Sequence, residues 1–359
     1  MSSVSTANVI YQHLADKKSK DLYELMLRFN VTDSECAFAL YRKNELFAEY
    51  GVTLDKFLRQ EGDKVIFGAG KWGKWLFSVY SDVQWKCFVD NFLRKNDELP
   101  IPVISADDLM KYQNAKIVIA VIDHTDEIMD QLLQMGIKRE NIYPLGNELK
   151  QIEDELLKRQ YFDLPYLRYE DKEMFVDVGC FDGFTSLNFA SVVGNRYGHI
   201  YAFEANPALY NKCKENMWNL KNCTVYNQGI WNKRDSIDFY ESPDDSEFYS
   251  TLSEHNGYQH YHQDERWLQH KVDVVPLDDV LINEKITFIK MDIEGAEKEA
   301  LEGAKKIIRK YKPKLAISLY HRKEDITDLP ALVLDICSDY KLYIRNYTFS
   351  WPETVLYAV

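Results

Sequence analysis

Phe175-Val176-Asp177-Val178-Gly179-Cys180-Phe181-Asp182-Gly183 reads as an apolar strand running into a tight turn. Its two glycines permit positive φ and let a ligand approach the backbone closely. A helix begins at about Thr185, so its N-terminus faces whatever the turn holds. In the dinucleotide fingerprint, three glycines and a helix dipole receive a pyrophosphate. Here an acid, Asp177, precedes the first glycine, which suits a ligand with an amino group and no phosphate. The next apolar strand, His199–Phe203, ends in Glu204, at the distance where a strand-end acid accepts hydrogen bonds from ribose hydroxyls. Further on, Ile289-Lys290-Met291-Asp292-Ile293-Glu294-Gly295-Ala296-Glu297 puts three acids at another strand-to-helix junction. Acids favour helix starts in any protein. Three of them at the carboxyl end of a central strand, where open α/β sheets bind ligands, imply more than capping.

Outward from that core, strands alternate with helices. The series starting at Met174 has strands at Met174–Val178, His199–Phe203, Thr224–Asn227, Ile237–Tyr240, Lys271–Val275, Phe288–Met291, Leu315–Ser318, Lys341–Asn346 and Thr354–Ala358. An earlier series has strands at Val65–Phe67, Trp85–Val89, Ile117–Val121 and Ile142–Tyr143, with helices through Tyr80, at Ala106–Tyr112 and at Glu127–Met135. Such alternation predicts parallel, doubly wound sheets. The fold class is α/β, with two Rossmann-like units in tandem. The expected organisation is a helical extension over 1–60, a small Rossmann-like domain over 61–148, a charged helical linker over 147–163 and a larger domain over 164–359. Residues 1–60 suit packing or homo-oligomer formation.

Composition narrows the classes. Hydrophobic residues at 46% suffice for packed cores, and a net charge of −13 argues against a nucleic-acid partner, whose phosphates need clustered Lys and Arg. The six cysteines include no CxxC pair, so neither a disulfide framework nor a zinc site is indicated. No apolar run reaches the ~18 residues of a membrane span, and no signal-like apolar segment opens the chain. The expected location is the cytoplasm.

Val176-Asp177-Val178-Gly179, Phe203-Glu204, Leu277-Asp278-Asp279-Val280 and Ile289–Glu297, in that order, resemble the FkbM-type family of S-adenosylmethionine-dependent methyltransferases. The resemblance implies a class I methyltransferase fold over the C-terminal half and S-adenosyl-L-methionine as cofactor. It implies O-methylation of a sugar hydroxyl in glycan or surface-polysaccharide synthesis, hence a small-molecule or glycan substrate. By it, Asp177, Gly179 and Gly183 lie along the methionine moiety, Glu204 holds the ribose, Asn227 lies near adenine and Asp292 near the sulfonium. Cys180, Asp182, Phe184 and Ala205 complete the expected cofactor contacts. Two departures stand out: the usual Gly-Ala-Asn-x-Gly turn is Gly179-Cys180-Phe181-Asp182-Gly183, and the usual Glu-Pro is Glu204-Ala205-Asn206-Pro207.

Methyl transfer to an alcohol needs alignment and removal of a proton. His321, at the end of the strand Leu315–Ser318, is the first candidate base, because an imidazole pKa near 6.5 suits neutral pH; Asp292 is the rival. Glu294, Tyr320, Tyr249 and His260 are candidate substrate contacts. The last two belong to a polar, aromatic insertion between Ser242 and Lys271 that reads equally as a sugar-binding lid or an exposed hairpin. Its four histidines lack ligand spacing with a matching carboxylate, and no metal site is expected.

The earlier unit carries its own Gly68-x-Gly70-x-x-Gly73, with Asp90 at about the dinucleotide distance. A second nucleotide site there is the alternative reading: an NAD- or nucleotide-sugar-binding enzyme using this loop. The unit is about half a full dinucleotide domain and lacks a Tyr-x-x-x-Lys pair, so a scaffold or substrate-docking role is favoured.

Overall fold

The computed structural model describes residues 3–92, 99–112, 114–241, 250–251 and 268–359. They divide into two units: Met1–Asp33 with Arg159–Tyr347 and Trp351–Val359, and Ser34–Lys158 with Thr348–Ser350.

The larger unit is built on seven strands: β1 (Glu173–Val178), β2 (Tyr197–Phe203), β3 (Cys223–Tyr226), β4 (Phe288–Met291), β5 (Lys314–Ser318), β6 (Leu342–Asn346) and β7 (Thr354–Ala358). Their order is β6-β7-β5-β4-β1-β2-β3. The pairs from β5 through β3 are parallel, while β7 runs antiparallel to both β5 and β6. Strands buried on both faces read as continuous apolar runs, and Phe175, Val176, Ile289, Met291, Leu315 and Ile317 are all buried. Phe175 stacks on Phe189 at 4.2 Å, with Phe162 and Phe288 packed around the pair. The chain leaves β1 toward β2 on one side and returns through β4 on the other, so a crevice opens at the carboxyl ends of β1 and β4.

The expected strands at Ile237–Tyr240 and Lys271–Val275 exist, but outside the main sheet. They pair antiparallel, as Asp235–Glu241 with Leu268–Val275, in a separate four-stranded sheet. Its short strands Gly229–Ile230 and Ser250–Thr251 were not anticipated. Within the insertion, Tyr249, His255, Tyr258, His260, Tyr261, His262 and Trp267 lie outside the described residues.

The first 33 residues belong to this larger unit rather than to a uniform 1–60 extension. Asp16 caps the helix Lys17–Thr32 by accepting from the Ser19 N–H at 2.8 Å, and it pairs with Arg345 of β6 at 2.6 Å. The Ile344 N–H donates to Ser19 Oγ at 2.9 Å, and the Ala15 N–H donates to the Leu342 carbonyl at 2.9 Å. These bonds occupy donors and acceptors of β6 that an open sheet edge would leave unpaired.

The smaller unit has a five-stranded parallel sheet in the order Val103–Ile104, Trp85–Val89, Lys64–Phe67, Lys116–Ile119, Ile142–Tyr143. The first of these is too short for its periodicity to register. The expected linker 147–163 contributes the helix Leu145–Arg159, which buries Leu145, Leu149, Ile152 and Leu156. That spacing is an amphipathic core stripe, so the segment up to Lys158 is packed structure of the smaller unit. No helix among the described residues is long and apolar enough to cross a membrane.

Candidate active site

β1 ends in the glycine turn. Gly179 has φ +77°, and a Cβ there would lie 1.9 Å from the Asp292 carbonyl oxygen. Only glycine allows the turns after β1 and β4 to approach this closely. Gly183, at φ +89°, caps the helix Phe184–Val192, and a Cβ there would meet Met217 at 2.7 Å. The register of β1 against β4 sets Lys290 opposite Asp177. Both are buried, with Lys290 Nζ 3.1 Å from Asp177 Oδ1. Ser186 Oγ donates to Asp177 Oδ2 at 2.7 Å, and Lys290 Nζ donates to the Gly179 carbonyl at 2.6 Å. Burial pulls the Lys290 pKa down, but Asp177 and Asp292 outweigh it and hold the ammonium above its ordinary value. Asp177 is thus an internal anchor of the turn. It does not line the crevice where the expected methionine contact would lie.

Cys180, Asp182, Gly183 and Phe184 likewise stay off the cavity wall. Cys180 is buried with its sulfur 3.3 Å from that of Cys213. Asp182 accepts from the Phe184 N–H at 3.1 Å, and Phe184 is exposed.

The crevice itself is a cavity of about 280 Å³. Gly179 and Glu204 form part of its wall, with Phe203, Ala205, Leu209, Ile230 and Phe239 making one end apolar. Glu204 accepts from the Phe181 N–H at 3.0 Å and the Asn206 N–H at 2.8 Å. Burial, opposed by those two bonds, pushes its pKa up to about 7. Asn227 donates to the Glu204 and Ala205 carbonyls at 2.9 and 3.1 Å. It thereby holds the turn that carries Glu204, while the next residue, Gln228, lines the cavity.

The other end is acidic: Asp292, Glu294, Tyr320 and Glu353 line it. Glu294 is held at φ +55°, a conformation uncommon outside glycine that clusters at functional sites. Asp292 Oδ2 accepts from the Tyr161 hydroxyl at 2.8 Å, and Tyr320 reaches Oδ1 at 3.4 Å. His321 is buried behind them. Its Nδ1 is 3.0 Å from Glu297 Oε1, and its Nε2 is 3.5 Å from both Asp292 Oδ1 and Glu294 Oε2. Burial lowers the His321 pKa, but Glu297, Glu294 and Asp292 raise it far more, to well above its ordinary value. In this state the ring is a cation at neutral pH, with no lone pair to accept a proton. It therefore does not match the free base expected from its strand-end position. Asp292 is pushed up by burial and pulled below its usual range by Lys290, His321 and Tyr161, so it is ionised.

Tyr161, Gln160 and Glu353 were not among the expected site residues. Gln160 Nε2 donates to Glu353 Oε2 at 2.6 Å and to the Tyr161 hydroxyl at 3.1 Å, so together they brace the acidic end. Tyr161 lies in the stretch read as linker. Glu353 sits just ahead of β7, where no motif marked it. Tyr249 and His260, the expected substrate contacts, lie outside the described residues.

In the smaller unit, Gly68, Gly70 and Asp90 border a separate crevice of about 560 Å³ with Lys71, Asp123 and Lys150. Asp90 Oδ2 accepts from the Ala69 N–H at 3.0 Å and Oδ1 from the Phe92 N–H at 2.9 Å. A Cβ at Gly73 would lie 1.9 Å from the Gly68 carbonyl oxygen, so that glycine serves helix-to-turn packing.

Comparison with known proteins agrees with the larger unit's geometry. Residues 177–349 match the family model described as the methyltransferase FkbM domain. A curated relative, the 2-O-methyltransferase NoeI of Sinorhizobium fredii (strain NBRC 101917 / NGR234), is 27% identical over 146 residues, which is 38% of this chain and 59% of that protein. This chain thus spans about three fifths of the length of that relative. The crystal structure of methyltransferase FkbM from Methylobacillus flagellatus KT superposes with a TM-score of 0.51 at 20% identity, covering 89% of this chain and all of that one. The strand order and these matches give the larger unit a class I methyltransferase-like fold.

Proposed function

From the premise that this chain carries an FkbM-type methyltransferase domain over residues 177–349, with S-adenosylmethionine as its cofactor, we propose that it methylates the oxygen of a sugar hydroxyl in glycan or surface-polysaccharide synthesis. The observation that carries this reading is the polarity of the larger unit's cavity, apolar around Phe203, Leu209, Ile230 and Phe239 and acidic around Asp292, Glu294 and Glu353. The apolar end suits a purine, Glu204 suits ribose hydroxyls, and the acidic end suits a cationic centre beside a hydroxyl-bearing acceptor. The name of the NoeI relative supports oxygen as the methylated atom. Bound there, the cofactor supplies an electrophilic methyl group on a sulfonium.

The chain's residues then align, shield and deprotonate. Of the carboxylates that face the cavity, Asp292 and Glu294 are the two that flank His321, and they accept the hydrogen bond and then the proton of the acceptor hydroxyl. Tyr161 fixes Asp292 from behind. The apolar wall keeps water from competing for the methyl group.

The test supplies the purified chain with methyl-labelled S-adenosylmethionine and a panel of mono- and oligosaccharides. Label retained on a sugar after alkaline hydrolysis supports an ether-forming O-methyltransferase, since methyl esters would be lost. Label confined to protein or to nitrogen compounds sinks the proposal. In parallel, S-adenosylhomocysteine and NAD are titrated calorimetrically. Gly179→Ala should lose measurable S-adenosylhomocysteine binding, because the left-handed conformation alone costs a non-glycine residue about 1–2 kcal/mol and the Cβ drives the Asp292 carbonyl away. Binding of NAD alone would instead favour the nucleotide reading of the smaller unit.

Glu204 sets a pH dependence. Ribose hydroxyls donate to its ionised form, which burial disfavours below about pH 7. S-adenosylhomocysteine affinity should therefore be greatest above pH 7 and fall as the solution is acidified below it. Glu204→Ala should weaken binding by about 1.5–3 kcal/mol, the range for hydrogen bonds to charged groups, and should flatten that profile. A pH-independent wild-type affinity would remove Glu204 from the ribose.

A further inference from the structure

Sequence spacing gave no reason to expect a metal, because the relevant groups are far apart along the chain. The fold brings three of them together. One donor atom from each of Asp292, Glu297 and His321 lies within 4.8 Å of the others. Two of the three side chains are almost fully enclosed, His321 at 5% and Glu297 at 1% exposure. Two buried atoms in this cluster have no hydrogen-bond partner, His321 Nε2 and Glu297 Oε2. Buried polar groups are ordinarily satisfied, and each exception calls for an explanation.

The arrangement around those atoms is rigid. Glu297 Oε1 accepts from the Ile293 N–H at 2.9 Å and faces His321 Nδ1. Asp292 Oδ2 is committed to Tyr161. What remains turned inward is an imidazole nitrogen, one Asp292 oxygen and one Glu297 oxygen, with the Glu294 carboxylate 3.5 Å from the same nitrogen on the cavity side. A divalent ion bound by a neutral imidazole and two carboxylates would replace the two 3.5 Å contacts of His321 Nε2 with a bond and give the buried Glu297 Oε2 a partner.

We propose that Asp292, Glu297 and His321 form a binding site for one divalent first-row transition ion. One nitrogen and two carboxylate oxygens are donors suited to Mn²⁺, Fe²⁺ or Zn²⁺ rather than to an all-oxygen Ca²⁺ site. Bonds of about 2.0–2.2 Å put two donors of one ion about 3.0–3.4 Å apart, so the widest of the present separations, up to 4.8 Å, closes by about an ångström or more when the ion binds. The site stands on geometry alone. Its use, which rests on the methyltransferase reading, is to fix the acidic end and to offer open coordination positions to the acceptor oxygen, leaving Glu294 to receive the proton.

The experiment titrates Mn²⁺ into chelator-treated full-length chain by calorimetry, with S-adenosylhomocysteine titrated separately. One Mn²⁺ per chain is expected, with affinity falling at least tenfold in Glu297→Gln and in His321→Ala and unchanged in Asp238→Asn, a half-buried acid of the small antiparallel sheet that pairs with Lys271. No binding by the wild type at millimolar Mn²⁺ overturns the site. Unchanged binding in folded His321→Ala, judged by retained S-adenosylhomocysteine affinity, overturns it equally. Should both variants fail to fold, the wild type still decides: bound Mn²⁺ must broaden one buried imidazole's proton resonances while the exposed His124 stays sharp, and broadening of exposed rings alone overturns the proposal. Mn²⁺ binding without S-adenosylhomocysteine binding would keep this site and sink the cofactor reading; the reverse would do the opposite.

Discussion

Lys290→Met is expected to destabilise the larger unit by about 3–5 kcal/mol, the cost of removing one partner from a buried ion pair. Asp177 is fully enclosed, and the nearest cation to it is the Lys290 ammonium at 3.1 Å. Methionine keeps the apolar stem but strands a carboxylate in the core. It also frees the Gly179 carbonyl, which the ammonium holds at 2.6 Å, so the glycine turn should loosen and S-adenosylhomocysteine affinity should fall with stability. Pairing the change with Asp177→Asn should recover more than half of the loss, because the isolated charge disappears and Ser186 retains a partner. Chemical denaturation of the two variants at pH 7 checks this. Equal stability of Lys290→Met and wild type would show that the pair contributes nothing beyond an apolar contact.

His321→Ala is expected to lower turnover sharply with S-adenosylhomocysteine affinity nearly intact, because the buried cation that holds Asp292, Glu294 and Glu297 together is lost. The imidazole touches Glu297, Glu294 and Asp292 at once, yet it lines no part of the cavity where Glu204 lies. Its loss leaves three carboxylates repelling one another at the acceptor end. Groups acting as a unit are not additive, so Glu297→Ala with His321→Ala should cost little more than His321→Ala alone. Single-turnover kinetics with saturating cofactor separate this from a binding defect. A fully active His321→Ala chain would leave the chemistry to Asp292 and Glu294 without support from behind.

How much of this was legible beforehand follows from the range of each interaction. Phe175–Gly183, His199–Glu204 and Ile289–Glu297 declare themselves because strand, turn and helix start are local events written in consecutive residues. Asp177 reads as an acid before a glycine turn that meets the cofactor, whereas the structure buries it as an anchor of that turn. Its role came from the strand register, which places Lys290 opposite it and which no single-chain periodicity reveals. The protonation of His321 depends on Glu297, 24 positions away. The brace on Asp292 comes from Tyr161, at a separation of 131. The helical pattern before Asp33 was visible, but nothing local says that Ser19 meets Ile344, 325 residues on. The segment 147–163 reads as a linker by its charges, while Leu145, Leu149, Ile152 and Leu156, which recur on one buried stripe, make it packed helix.

The larger unit takes its first helices from residues before Asp33 and the strand they cover from Leu342–Asn346. On a ribosome making roughly 5–20 residues per second, the interval between those segments is on the order of tens of seconds. During it, Ile10, Leu14, Leu22, Tyr23 and Met26, all buried in the finished protein, have no sheet to cover. The stretch Ser34–Lys158, which supplies all but three residues of its own unit, has emerged long before. Throughout that interval the nascent chain carries an amphipathic segment, the helix Lys17–Thr32 with the residues before it, whose apolar side has no strand to rest on. That segment is the one a chaperone would have to hold, and its capture is completed only when β6 arrives.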